Sequence, residues 1–225
     1  MKIINLIIKN YVPAILFTPA FVLVVSCSSS EIFQLQNLDI SKKLVENYYE
    51  SGQFDAECKD VYDDAVKQIE RLSLPKNAAV VFDVDETVIS NYNSTKSIGF
   101  GYVREVWHNE ILRAEEPAIP QTKIFYDWLV SKNIKVIFLT GRYPEIFEAT
   151  KKNLIAKGFS QFDTLIVRNA DEIKMSAVNY KIQKREEIIK KGYNIIACVG
   201  DQWSDLEGGN TGIKIKLPNY LYLID

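Results

Sequence analysis

From Ala78 onward, short β-branched runs alternate with longer amphipathic segments, and few architectures accept that alternation. Ala78 to Phe82 reads as a strand, Gln121 to Val130 as a helix and Lys135 to Leu139 as a second strand. A helix from Pro144 to Ala156 follows and stops at Gly158, where a left-handed cap belongs. Strand Thr164 to Val167, a helix through Tyr180 to Lys190 closed by Gly192, and strands Ile195 to Val199 and Ile213 to Leu217 complete the series. Strands joined by helical crossovers pair in parallel, and a parallel sheet needs cover on both faces. The expected fold is α/β: a Rossmann-like parallel sheet with helices on both faces. Two more helices, Ser41 to Tyr49 and Phe54 to Leu72, come first; in the second, Val61, Ala65, Ile69 and Leu72 recur at helical spacing.

Such sheets bind ligands beyond the carboxyl ends of their strands, where the strand order reverses. The first strand ends at Asp83, the second at Thr140 and the fourth at Asp201. Three polar groups at corresponding strand ends converge on one crevice. The stretch 91–120 is aromatic and charged and matches neither a strand nor a core helix, so it is expected to be a small cap insert over that crevice.

At 225 residues, 47% hydrophobic and 25% charged, the chain supports one sizeable folded core. A net charge of −2 lacks the basic footprint of a nucleic-acid binder, and one His leaves a His-rich metal cluster poorly supplied. At the start, Lys2 and Lys9 lead into an apolar run, Tyr11 to Val25, broken by Pro13 and Pro19. A spanning helix needs about 20 apolar residues, so this stretch reads as a secretory signal. It ends Val24-Val25-Ser26-Cys27, which resembles a bacterial lipobox, and Ser28-Ser29-Ser30 suits a flexible tether. The expected layout is a signal peptide at 1–26, a tether at 27–40, and one domain at 41–225 with its cap insert at about 91–120. Cys27 would carry the lipid of a secreted protein anchored to a bacterial membrane, in the periplasm or at the outer membrane or cell surface. Cys198 lies in an apolar strand and reads as a buried small hydrophobe, which disfavours a bridge to Cys58.

The segment Val80 to Asn91 reads VVFDVDETVISN. Residues i and i+2 of an extended chain face the same side, so Asp83 and Asp85 can address one ligand. Two like charges that close repel, and a divalent cation is the usual remedy. Phe138 to Arg142 reads FLTGR, a strand end and Gly turn that offer the Thr140 hydroxyl and Gly141 backbone to a phosphate oxygen. Lys181 and Lys184 share a helix face and could supply a fixed positive charge. Val199 to Leu206 reads VGDQWSDL, which adds Asp201 and Asp205 as candidate metal ligands.

These four segments, in this order, resemble the four motifs of haloacid dehalogenase (HAD) superfamily phosphatases. The closer likeness is to the class B-type acid phosphatases of subfamily IIIB, which include plant vegetative acid phosphatases and bacterial lipoprotein acid phosphatases/5′-nucleotidases. It covers about Phe54 to the end, including Leu217-Pro218-Asn219. The resemblance implies a HAD core with its cap and an Mg²⁺-dependent acid phosphatase acting on a small phosphomonoester. Asp83 would be the nucleophile and Asp85 the general acid/base, with a pKa raised by a dry pocket. Mg²⁺ would be held by Asp83, the backbone carbonyl of Asp85, Asp201 and, nearby or through water, Asp205. Thr140, Gly141 and Lys181 would bind the phosphoryl group; Lys181 is preferred to Lys184 because it follows Tyr180 as in the family pattern. The lipobox fits the lipoprotein branch, whereas FLTGR and GDQWSDL look more like the plant branch, so nucleotidase habits do not transfer directly. Tyr92, Phe100, Tyr102, Trp107 and Trp203 either pack the cap or stack on the base of a nucleoside monophosphate. The rival function is a non-catalytic surface, storage or ligand-binding lipoprotein on the same fold.

Overall fold

Five parallel strands form one sheet in the order β3-β2-β1-β4-β5. They are β1 (Ala78–Phe82), β2 (Lys135–Leu139), β3 (Thr164–Ile166), β4 (Asn194–Gly200) and β5 (Ile213–Lys216). The computed structural model describes residues 35–224, so Cys27, the signal segment and most of the tether lie outside the described residues. Seven α-helices accompany the strands among those residues: α1 (Leu38–Glu50), α2 (Gln53–Glu70), α3 (Tyr92–Ser97), α4 (Arg104–Arg113), α5 (Pro120–Ser131), α6 (Phe147–Ala156) and α7 (Ala177–Lys190).

All five residues of β1 are buried, as a central parallel strand requires. Val80 and Phe82 face one way and pack with Tyr62 and Ile69 of α2, Phe125 and Leu129 of α5 and Leu154 of α6. Ala79 and Val81 face the other way, with Tyr180 and Ile188 of α7. The expected layering of helices on both faces is present. Cys58 and Cys198 are both free and buried and belong to the cores on opposite faces of the sheet, which separates them.

Most element ends fall within two residues of expectation, and the structure departs from it more plainly in the following places. Helix α1 starts at Leu38, inside the stretch read as tether, because the Asn37 side chain caps it by accepting the Asp39 N–H. The segment from Pro144 opens with a 3₁₀ turn, Pro144–Ile146, before α6. The insert at 91–120 contains α3 and α4; only Ile111 of α4 is buried, so no apolar stripe announces the helix. Among the described residues no helix is long and apolar enough to cross a membrane.

Candidate active site

The strand order reverses at β1, with β2 and β3 on one side and β4 and β5 on the other. Asp83 and Asp201 follow the two strands that flank this switch point, where side chains from both can meet. The Asp83 N–H donates to the Val199 carbonyl (2.9 Å), which continues the ladder one residue beyond β1. Asp205 folds back on the end of β4. A Cβ at residue 200 would fall on the Asp205 side chain, so Gly200 is what admits it. From α7, the fully buried Arg185 donates Nη1 to the Asp205 carbonyl (2.9 Å) and fixes that turn.

Asp83, Asp201 and Asp205 each present an oxygen within 4.8 Å of the others. Lys181 reaches into the cluster from α7, its Nζ 2.5 Å from Asp83 Oδ1 and 2.7 Å from Asp205 Oδ1. It also donates to the Leu139 carbonyl (2.6 Å). Burial pulls this ammonium's pKa down, but the Asp205 and Asp83 charges hold it above its ordinary value. Lys184 instead pairs with Glu172 (2.5 Å) and Glu187 (3.1 Å). Of the two lysines, the fold brings only Lys181 to the acids.

Burial pushes the Asp83 carboxyl well above the usual range, and the neighbouring acids Asp205, Asp201 and Asp85 outweigh part of the relief from Lys181. Asp201 rises to about 6, through burial first and Asp205 second. It is held by Thr87 Oγ1 (3.0 Å), Gln202 Nε2 (2.6 Å) and Asn219 Nδ2 (2.7 Å). Three carboxylates, two of them buried and Asp83 partly so, against one ammonium leave unbalanced negative charge, and their donor atoms are the oxygens that hard divalent cations prefer. The residues fit a metal.

Asp85 departs from expectation. Arg142 grips it with Nε (3.0 Å) and Nη2 (2.7 Å), and Asn91 Nδ2 adds a third donor at 2.8 Å. Burial alone would raise its pKa, but the Arg142 charge and these hydrogen bonds to the ionised carboxylate bring it below the usual range. Glu86 takes the raised position instead. Burial, then the Asp85 charge, pushes it up to about 8, and it accepts from Asn91 N–H (2.6 Å) and Tyr222 O–H (2.7 Å).

A cavity of about 690 Å³ opens on Asp83, Asp85, Lys181, Asp201 and Asp205. Gly141 and Arg142 line it beside them; Thr140 does not, being fully buried with its hydroxyl turned to the Arg142 N–H (3.2 Å). The insert contributes Phe100, Tyr102 and Trp107 to the wall. Tyr92 stacks on Tyr49 instead (4.8 Å, 14°), and the half-exposed Trp203 lies beside Lys216. Those two aromatics belong to packing and surface. Arg142, Asn91, Glu86 and Tyr222 are the site residues to which the sequence reading assigns no role. Arg142 closes the FLTGR string, and a charged residue after a buried strand and a Gly turn was the available signal.

A parallel sheet that gathers acids and a buried lysine at its switch point supplies the positioning and charge neutralisation that phosphoryl transfer needs. The chain belongs to the HAD superfamily, subfamily IIIB (acid phosphatase), whose family model matches residues 20–225. It is a phosphomonoesterase of that type. Stem 31 kDa glycoprotein of Glycine max is 33% identical over 184 residues, covering 80% of this chain and 72% of its own length. Vegetative storage protein 1 of Arabidopsis thaliana is 32% identical over 191 residues (81% and 70%). Acid phosphatase 1 of Solanum lycopersicum is 34% identical over 148 residues (64% and 58%). The class C acid phosphatase from Bacillus anthracis, solved with tungstate bound, shares the fold at a TM-score of 0.68 and 22% identity, covering 84% of this chain and 87% of its own.

Proposed function

We propose that the chain is an Mg²⁺-dependent acid phosphatase working through an aspartyl-phosphate, with nucleoside monophosphates among its substrates. The observation that carries this is the pairing of two differently held acids on one crevice: Asp83 on Lys181, Asp85 on Arg142. Asp83, Asp201 and Asp205 would hold the ion, with the Asp85 carbonyl, and when bound it neutralises charge on the acids and the phosphate. An Asp83 oxygen attacks phosphorus while the P–O bond to the leaving group breaks. In acid, where Asp85 takes up a proton despite Arg142, the departing alkoxide takes that proton from the Asp85 carboxyl. Asp85 then removes a proton from water, whose oxygen displaces Asp83 and releases inorganic phosphate. Lys181 and the Gly141 turn position the phosphoryl oxygens, and Thr140 shapes that turn.

Phase one of the test is a panel of phosphomonoesters given to purified residues 28–225 with Mg²⁺ or with chelator. Turnover should require the metal. Base stacking on Tyr102 or Trp107 is worth about 1–3 kcal/mol, so nucleoside monophosphates should exceed a small alkyl phosphate by about tenfold in kcat/KM. Equal efficiencies would reduce the aromatics to packing. No turnover on any ester would leave the storage role that the Arabidopsis relative's name describes.

Location rests on sequence alone. We propose that Cys27 is acylated and holds the domain at a bacterial membrane, since two or three chains anchor firmly where one does not. Cys27→Ala should release soluble protein or leave an unprocessed precursor; unchanged mass and fractionation would exclude the anchor.

A further inference from the structure

Arg168 follows β3 and lies on the wall of the same cavity, yet nothing in the proposed reaction uses it. Only 9% of it is exposed. No carboxylate pairs with it among the described residues, and the nearby Glu172 is taken by Lys184. Its Nη1 donates to the carbonyls of Met175 (2.9 Å) and Ile173 (3.4 Å), while its Nε is buried without a partner among the described residues. The guanidinium lies over the ring of Tyr180, 4.6 Å from the centroid. A buried guanidinium that meets only carbonyls and a ring has no anionic partner among the described residues, an expensive arrangement unless an anion completes it.

A second feature points the same way. Helix α7 begins at this wall, and Ser176 and Ala177 both line the cavity. The Ser176 hydroxyl accepts the Asn179 N–H (3.2 Å), which leaves the N–H groups of Ala177 and Val178 without a partner among the described residues. A helix start of this kind favours anions through its free N–H groups and its dipole. Tyr180 joins this wall to the reaction centre: its ring carries Arg168, its hydroxyl donates to the Thr140 carbonyl (3.1 Å), and Lys181 is the next residue.

We infer that Arg168 and the first turn of α7 form a second anion subsite, which selects phosphomonoesters bearing a further phosphate or carboxylate on a short spacer. The inference rests on the proposed function and deepens it, because it names a further class of substrate for the same crevice. Arg168 acts in specificity: it binds the part of the substrate that does not react, and its planar fork matches either oxyanion.

The test is binding without turnover, so that it stands apart from catalysis. Calorimetry on the unaltered protein would compare ethylphosphonate, 3-phosphonopropionate and 1,3-propanediphosphonate, which share one phosphonate and differ in the second group. At least one of the two-headed ligands should bind about tenfold tighter than ethylphosphonate, a difference of about 1.4 kcal/mol. Which one gains tells carboxylate from phosphate. Arg168→Gln should erase the gain and leave ethylphosphonate affinity in place, while Arg168→Lys should retain part of it. Equal affinities in the unaltered protein, no binding of any phosphonate, or a gain that survives Arg168→Gln would each overturn the subsite. So would an Arg168→Gln protein that loses all three ligands together with its melting temperature, since Arg168 would then be only a tie for the 169–176 loop. Absence of turnover on every ester would instead count against the phosphatase reading and leave this binding result intact.

Discussion

Asp83→Asn is expected to cut turnover by about 10³-fold or more, the scale on which the loss of a nucleophile is felt, without weakening the fold. A carboxamide cannot attack phosphorus, and Lys181 would still hold Asp205 at 2.7 Å. The stability half of the prediction follows from the environment of Asp83. Burial and three neighbouring acids push its carboxyl well above the usual range, so the folded protein is strained by that charge when no metal is bound. Sign matters here: an acid with a raised folded pKa adds stability at low pH and loses it as pH rises through the folded value. A neutral isostere should therefore keep, or slightly raise, the melting temperature of the metal-free protein near pH 7. Near-normal turnover in this variant would eliminate the aspartyl-phosphate route. A collapsed melting transition would show that Asp83 supports the structure as well as the chemistry.

The central strands were legible because they are buried on both faces. Ala78–Phe82 and, after Lys135, Val136–Leu139 are continuous apolar runs, and both expected strands match the observed limits. Parallel pairing then aligns the strand ends, so Asp83 and Asp201 could be placed at one crevice without coordinates. What depended on contacts through space was not legible. Helix α4 buries only Ile111, so local periodicity could not separate it from loop. Lys181 and Lys184 share a face in sequence, and only the position of Glu172 decides that Lys184 is engaged elsewhere. The environment of Asp85 was inverted for the same reason. A dry pocket suggested a raised pKa, but an arginine 57 residues away folds onto it.

Arg142→Met is the variant in which that inversion should be most visible. Arg142 is almost wholly buried, makes paired bonds to Asp85 and donates Nη1 to Thr150 Oγ1 (3.0 Å). Removing one partner of a buried ion pair costs about 3–5 kcal/mol, because the other charge remains without compensation. The loss should reach Glu116 as well. Burial raises the pKa of that acid, contact with its own backbone N–H and then the Arg142 charge oppose the rise, and among the described residues neither Glu116 carboxylate oxygen meets a well-formed hydrogen bond. The Asp85 contribution has a defined pH window. Its folded pKa is depressed, so the stabilisation is present above the ordinary Asp value of about 3.9 and fades as pH falls through the folded value. The melting-temperature gap between parent and Arg142→Met should thus be widest near neutrality and narrow in acid. Catalysis should respond in two ways. Freed of its clamp, Asp85 is misplaced, and kcat/KM should fall by about 10²-fold. Its pKa should also climb, so the limb on which leaving-group protonation is lost should move to higher pH. A merely structural arginine would lower stability and leave that limb where it was. The double variant Arg142→Met/Asp85→Asn supplies the remaining check, since with no charge left at residue 85 the stability penalty should shrink. An unshifted pH profile together with an additive double variant would remove Arg142 from any role in holding Asp85 for proton transfer.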